Sequence, residues 1–313
     1  MVKEAVYPLG YHILKAWMPC TDVHFQASFA EGLFAVQTRK LQVKPANLSK
    51  GTVISMVFYG TTDIGKKRVV NQDNFKIKEY SPEVTLAVVC DGMGGAKGGG
   101  VASSLAISAF MDIMDESSEL FCEKNSADNA DEVISDLLRR ATERANEAVF
   151  TAASSSAELT GMGTTLVCAL ITPKKVYSVN VGDSRMYLCN HSGIEQITRD
   201  HSYVQYLVDI GRMTPRKAKK SNQRNIITRA VGTEPTVEAD LYTISRTSNG
   251  HPTYVLLCSD GLSNMVEARE IASALKNGDK ANAEALKKSA TRIVSLANER
   301  GGTDNITAVI LSY

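Results

Sequence analysis

The chain has 313 residues, 43% hydrophobic and 22% charged, the balance of a globular protein with ample core. Thirty-five basic side chains stand against 34 acidic ones, and the net charge of +1 excludes a general electrostatic footprint for nucleic acid or a membrane surface. No apolar run reaches the roughly 18 residues of a membrane helix, and the opening "MVKEAVYPLGYHILKAWMPC" lacks a signal-peptide core.

Residues 1–51 have weak periodicity and read as an N-terminal extension, with Leu9, Ile13, Leu14 and Trp17 as its apolar candidates for a packing or partner helix. An accessory segment, an upstream-extended start and a cloning-derived piece are three open readings of it. Regular patterning occupies 52–313. "TVISMVFYG" predicts a strand, and "NFKIKEY" and "VTLAVVC" predict a hairpin around "SPE". Two helices follow, "GVASSLAISAFMDIMDE" and "DEVISDLLRRATERANEAVF"; the second sets Val133, Ile134, Leu137, Leu138, Ala141, Ala145 and Val149 on one face. Next come the strands "TTLVCALIT", "KVYSVNVG" and "SRMYLCN". A polar, basic stretch from Arg199 to Arg229 contains one helix-like piece, "YVQYLVDIG". The strands "VEADLYTIS" and "TYVLLCS" precede a helix that carries Leu286, Ala290, Ile293, Val294 and Ala297 and stops at Gly301–Gly302. The last strand is "ITAVILSY". Strands cluster with strands and helices come in pairs, which argues for antiparallel sheets covered by helices rather than alternating βαβ units. The six cysteines lack CxxC spacing, and Cys90, Cys168, Cys189 and Cys258 lie in apolar runs, so free buried thiols in a reducing compartment are expected.

Five aspartates stand at strand ends. Asp73 precedes "NFKIKEY", Asp91 follows "VTLAVVC", Asp183 follows "KVYSVNVG", Asp260 follows "TYVLLCS" and Asp304 precedes "ITAVILSY". Any one of them could be a turn residue. If the paired strands run antiparallel, however, four or five carboxylates share one sheet edge, where they repel unless cations lie between them. All-oxygen ligands without histidine or cysteine suit Mg²⁺ or Mn²⁺, and two such ions about 3.5–4 Å apart make a hydrolytic site. The glycines of "DGMGGAKGGG" are expected to keep the tip of the Asp91 strand open.

Eight stretches in order, "TTDIGKKRVVNQDN", "VVCDGMGG", "GMGTTL", "VGDSRMY", "DHSYVQYLVDIGRMT", "NIITRAVG", "LCSDGL" and "GGTDNITAVIL", resemble the metal-dependent protein phosphatases of the 2C type, in their bacterial serine/threonine branch. The resemblance implies an α+β fold: two packed, mainly antiparallel β-sheets flanked by helix pairs, an αββα sandwich, with a small flap at about 200–229 inside a catalytic domain of 52–313. It implies that Asp91 bridges two metal ions, Mn²⁺ or Mg²⁺, with the Gly92 carbonyl on one and Asp260 and Asp304 on the other. Asp73 holds the cluster, Asp183 lines a third, weaker metal position, and Thr164 and Thr165 pack behind. Arg68 grips the substrate phosphate with its planar fork. The implied reaction is hydrolysis of phosphoserine and phosphothreonine by a hydroxide bridging the two ions. The implied partners are phosphorylated proteins and a cognate serine/threonine kinase, for a cytoplasmic, monomeric enzyme without nucleic-acid or membrane partners. A phosphatase of a partner-switching regulator and an inactive relative acting as a binding module are the alternatives.

Three departures from the family pattern matter. Met93 stands where animal members have a histidine and cannot donate a proton. Asn264 replaces an aspartate that supports the third metal in some relatives, and Gln72 replaces a frequent glutamate. Three smaller signals have a structural reading and a functional one. "PRKAKK" is either solvated flap surface or a docking surface for acidic phosphoproteins. His201 after Asp200 is read as a structural hydrogen-bonding group, and Arg185 as a strand anchor.

Overall fold

A computed structural model of the chain describes residues 56–122, 129–246, 251–276 and 282–313. The N-terminal extension at 1–51 lies outside the described residues. Eleven strands and eight helices follow in chain order: β1 (Val57–Asp63), β2 (Asp73–Ser81), β3 (Val84–Met93), α1 (Gly95–Glu116), α2 (Glu119–Cys122), α3 (Ala130–Ser155), β4 (Gly163–Thr164), β5 (Leu166–Ile171), β6 (Lys175–Val181), β7 (Arg185–Asn190), β8 (Gly193–Gln196), α4 (Tyr203–Asp209), α5 (Pro215–Ala218), β9 (Asp240–Ser245), β10 (Tyr254–Cys258), α6 (Asp260–Ser263), α7 (Ala268–Leu275), α8 (Ala283–Glu299) and β11 (Ile306–Ser312).

The strands form two antiparallel sheets. One has the order β1-β11-β10-β7-β8, the other β2-β3-β5-β6-β9, with the short β4 paired to β3. Strand β3 shows how the layers are made. Leu86, Val88 and Cys90 face α1 and α3 and share a core with Phe110, Met114, Leu137 and Ala145. Ala87 and Val89 face the other way and meet Met186, Val255, Leu257, Val309 and Leu311 of the opposite sheet. A strand buried on both faces is apolar on both, and β3 is so at every position from Leu86 to Cys90, which is why this run shows no alternation. Helices α7 and α8 cover the outer face of the β1-β11-β10-β7-β8 sheet through Ile271, Leu275, Leu286, Ile293 and Ala297. The αββα sandwich is therefore present.

Two expectations need correction. Helix α7 has no counterpart in the strands and helices read from the sequence. Its start is marked by a reciprocal cap, with Glu267 and Glu270 each accepting a backbone N–H of the other's turn. The glycines after Asp91 also form no open loop, because Gly95 to Gly100 are the first turns of α1. A side chain on Gly99 would lie 2.7 Å from the Gly92 carbonyl carbon and oxygen, and one on Gly92 would lie 2.0 Å from the Gly99 oxygen. These two glycines let helix and strand backbones touch, and that contact sets how close α1 packs behind the tip of β3. Gly99→Ala is therefore expected to cost about 1–3 kcal/mol of stability in urea denaturation; a loss below about 0.5 kcal/mol would mean that α1 can retreat.

Candidate metal centre

The β2–β3 hairpin sets Asp73 directly opposite Asp91 in register. Strands β10 and β11 also pair antiparallel, so Asp260, after β10, and Asp304, before β11, come to one end of their sheet. The two edges meet. Asp73 is buried, and its Oδ2 accepts the hydroxyls of Ser259 and Thr307, both at 2.7 Å and both from the opposite sheet. Asp91 is fixed by its backbone. Its N–H donates to Thr165 Oγ1, and its carbonyl accepts from the Thr165 N–H and the Thr164 hydroxyl, each at 2.9 Å. Thr165 Oγ1 also meets Ser184 Oγ at 2.7 Å, which ties the turn carrying Asp183 to the same point. Thr164 and Thr165 thus stand behind the cluster, where they were expected. Gly92, next to last in β3, lies opposite Thr164 on β4.

Electrostatics confirm that these carboxylates feel one another. Burial, followed by the charges of Asp73, Asp260, Asp183 and Asp304, pushes Asp91 well above the ordinary carboxylate range. Burial and then Asp260 do the same to Asp183. Asp260 rises to about 7 through burial and the charges of Asp304 and Asp73. Asp73 rises to about 6 through burial, against the lowering effect of the Thr307 and Ser259 hydroxyls. One oxygen in each of Asp73, Asp183 and Asp260, the Oδ1, is buried without a hydrogen-bond partner. Buried carboxylate oxygens without donors are costly, and a hard divalent cation is the partner that such a donor set fits.

Asp304 is placed differently from the other four. Arg68 grips it with both prongs, Nε to Oδ1 at 2.8 Å and Nη2 to Oδ2 at 2.9 Å. Among the described residues, no three His, Cys, Asp or Glu side chains are drawn into a closed metal cage. The sequence reading sent Arg68 to phosphate and Asp304 to a metal; here each is the other's counter-charge. Asn264 donates to Asp260 Oδ2 at 3.1 Å, and Gln72 donates to the Gly95 carbonyl at 2.7 Å.

The sequence reading did not single out Ser259 or Thr307, and it gave Asn305 no role. Asn305 Nδ2 donates to the Ile64 and Val70 carbonyls, and its Oδ1 accepts the Gln72 N–H at 2.9 Å, so it braces the loop that carries Arg68. The available signal was position: each lies next to or near an aspartate in "LCSDGL" and "TDNIT". His201 and Arg185 are structural, as expected. His201 Nδ1 accepts the Gly182 N–H at 3.1 Å, and Arg185 forks onto Asp200 at the flap base.

The profile of the protein phosphatase 2C family matches residues 60–307. The serine/threonine phosphatase stp of Listeria welshimeri is 35% identical over 250 residues, covering 80% of this chain and 93% of that protein. A crystal structure described as a bacterial serine phosphatase superposes with a TM-score of 0.71 at 34% identity, over 82% of this chain and 97% of that one. The catalytic domain of the phosphatase PstP in complex with two manganese ions superposes with a TM-score of 0.67 at 32% identity, over 82% and 97% of the two chains.

The raised carboxylates fix the sign of a pH effect. Without metal, the folded state holds these protons more tightly than an unfolded chain whose aspartates titrate near 3.8. Metal-free stability should therefore fall as pH rises from about 4 to about 7, while stabilisation by Mn²⁺, which displaces the protons, should grow over the same range. Thermal unfolding with EDTA and with MnCl₂ checks this; a gap in Tm equal at about pH 5 and about pH 8 would exclude these carboxylates as ligands.

Proposed function

The chain belongs to the protein phosphatase 2C family, in its bacterial serine/threonine branch, and is a phosphoprotein phosphatase; on that premise we propose that it hydrolyses phosphoserine and phosphothreonine by direct attack of water, with two divalent ions held in the carboxylate ring. The observation that carries this reading is the convergence of Asp73, Asp91, Asp183 and Asp260 with three buried, unpartnered oxygens. Asp91, the Gly92 carbonyl, Asp260 and Asp304 would hold the pair, Mn²⁺ or Mg²⁺, with Asp73 bracing it and Asp183 serving a third, weaker position. When bound, the ions would supply the acidity that activates water near neutral pH and the charge that offsets the phosphoryl oxygens.

The chain's own residues do the rest. Ser259 and Thr307 hold Asp73 in one orientation, which keeps the two sheet edges at fixed separation. Arg68 exchanges Asp304 for the substrate phosphate, because its fork fits either pair of oxygens; the exchange frees Asp304 for a cation. Met93, at the end of β3, carries no proton for the leaving serine or threonine oxygen, so that proton comes from water. A kinase that phosphorylates serine and threonine must supply the substrate, and this enzyme opposes it. The five described cysteines are free and four are buried, which fits a reducing cytoplasm.

Phosphate release from a phosphothreonine peptide should require Mn²⁺ or Mg²⁺, stop in EDTA, and fall at least about a thousandfold in Asp91→Ala. Near-normal turnover by that variant, folded, would overturn the reading. Arg68→Lys should raise KM about tenfold without weakening Mn²⁺ binding measured by calorimetry; an equal loss in both would mean that Arg68 serves only to orient Asp304.

A further inference from the structure

Between Arg212 and Arg224 the flap carries six cations, Arg212, Arg216, Lys217, Lys219, Lys220 and Arg224, and no carboxylate. In a chain of net charge +1 this is a local concentration of one sign. What these side chains lack is a counter-charge among the described residues. Five of them are exposed, and among the described residues none of the six has an ion pair or a side-chain hydrogen bond. Arg224 is half-buried, and its Nε is buried without an acceptor. The other flap arginines are neutralised: Arg199 by Asp209, and Arg229 by Asp240 and Glu238. Pairing is therefore the habit of this region, and the run from 212 to 224 departs from it.

The flap that carries the run is tied on both sides to segments beside the carboxylates. Upstream, the His201 N–H donates to the Gly182 carbonyl at 2.9 Å, one residue before Asp183. Downstream, Val231 and Thr164 exchange backbone hydrogen bonds at 2.8 and 3.0 Å, and Thr164 lies opposite Gly92. A cationic run is thus borne by a flap whose base joins the segments that carry the aspartates. Between 212 and 224 there is no aromatic residue on which a base could stack, which favours a polypeptide over a single-stranded nucleic acid.

We propose that this run docks aspartate- and glutamate-rich sequence flanking the phosphorylated residue, so that the phosphatase selects acidic phosphoproteins. The proposal rests on the phosphatase reading above and names its substrate class. Opposite charges facing one another act on encounter and on KM, and both are screened by salt.

The test compares a phosphothreonine peptide with acidic flanks and the same peptide with Asn and Gln in their place, each rate normalised to hydrolysis of p-nitrophenyl phosphate by the same protein. Wild type should favour the acidic peptide about tenfold in kcat/KM, through KM, and the preference should shrink to about twofold at high salt. The variant Arg216→Gln/Lys217→Gln/Lys219→Gln/Lys220→Gln should lose it. If that variant does not fold, Lys219→Gln/Lys220→Gln should lose about half of it on a logarithmic scale. Equal rates on both peptides, or a preference that survives the substitutions, overturns the proposal. So does stronger inhibition by single-stranded DNA than by the acidic peptide, which would move the surface to nucleic acid. If wild type with Mn²⁺ hydrolyses neither peptide nor p-nitrophenyl phosphate, the phosphatase reading fails instead. Fluorescence anisotropy of the two labelled peptides then decides docking: equal affinities overturn it.

Discussion

Like-charged groups held close together in a poorly hydrated seam are the constraint around which this molecule is built. Asp73, Asp91, Asp183 and Asp260 would separate in water. They are kept together because each is carried by an element that cannot move independently: a hairpin register, a strand pinned by two threonines, a turn tied through Ser184, and the first residue of a helix. The core is what holds this seam closed. Three apolar layers, one between the sheets and one beneath each helix pair, supply the non-directional stabilisation that offsets the strain at the edge.

The same seam joins the two sheets. Asp73 belongs to one sheet, and the hydroxyls that hold it follow β10 and sit in β11 of the other. Site geometry and sheet docking are therefore one property. A substitution that slides one sheet over the other by an ångström moves the carboxylates relative to one another by the same amount, without touching any of them.

Much of this was legible in the sequence, and the reasons are specific. The apolar run ending in Asp91 and the polar-apolar strand starting at Asp73 predict a hairpin, and a hairpin fixes where both aspartates go. The amphipathic faces of α3 and α8 are read directly from spacing. The role of the glycines was not legible, because glycine marks both open loops and close packing, and only the partner backbone tells them apart; Gly92 and Gly99 are each other's partner. The Arg68–Asp304 pair spans 236 positions, and neither residue carries a local signal for the other. Ser259 and Thr307 look like ordinary strand-end hydroxyls until the two sheets are laid together. Helix α7 is short, and its cap uses two glutamates rather than the usual serine or threonine start.

Strand β11 is the last of the described strands in chain order, yet it lies in the interior of its sheet, between β1 and β10. Until it inserts, β1 has no neighbour in that sheet, Asp73 lacks the Thr307 hydroxyl, and the segment bearing Asp304 is not in place. A chain whose β11 has not yet inserted therefore carries the Asp91 hairpin as one half of an unassembled carboxylate cluster. Closing that sheet and drawing the carboxylates together are therefore the same long-range event.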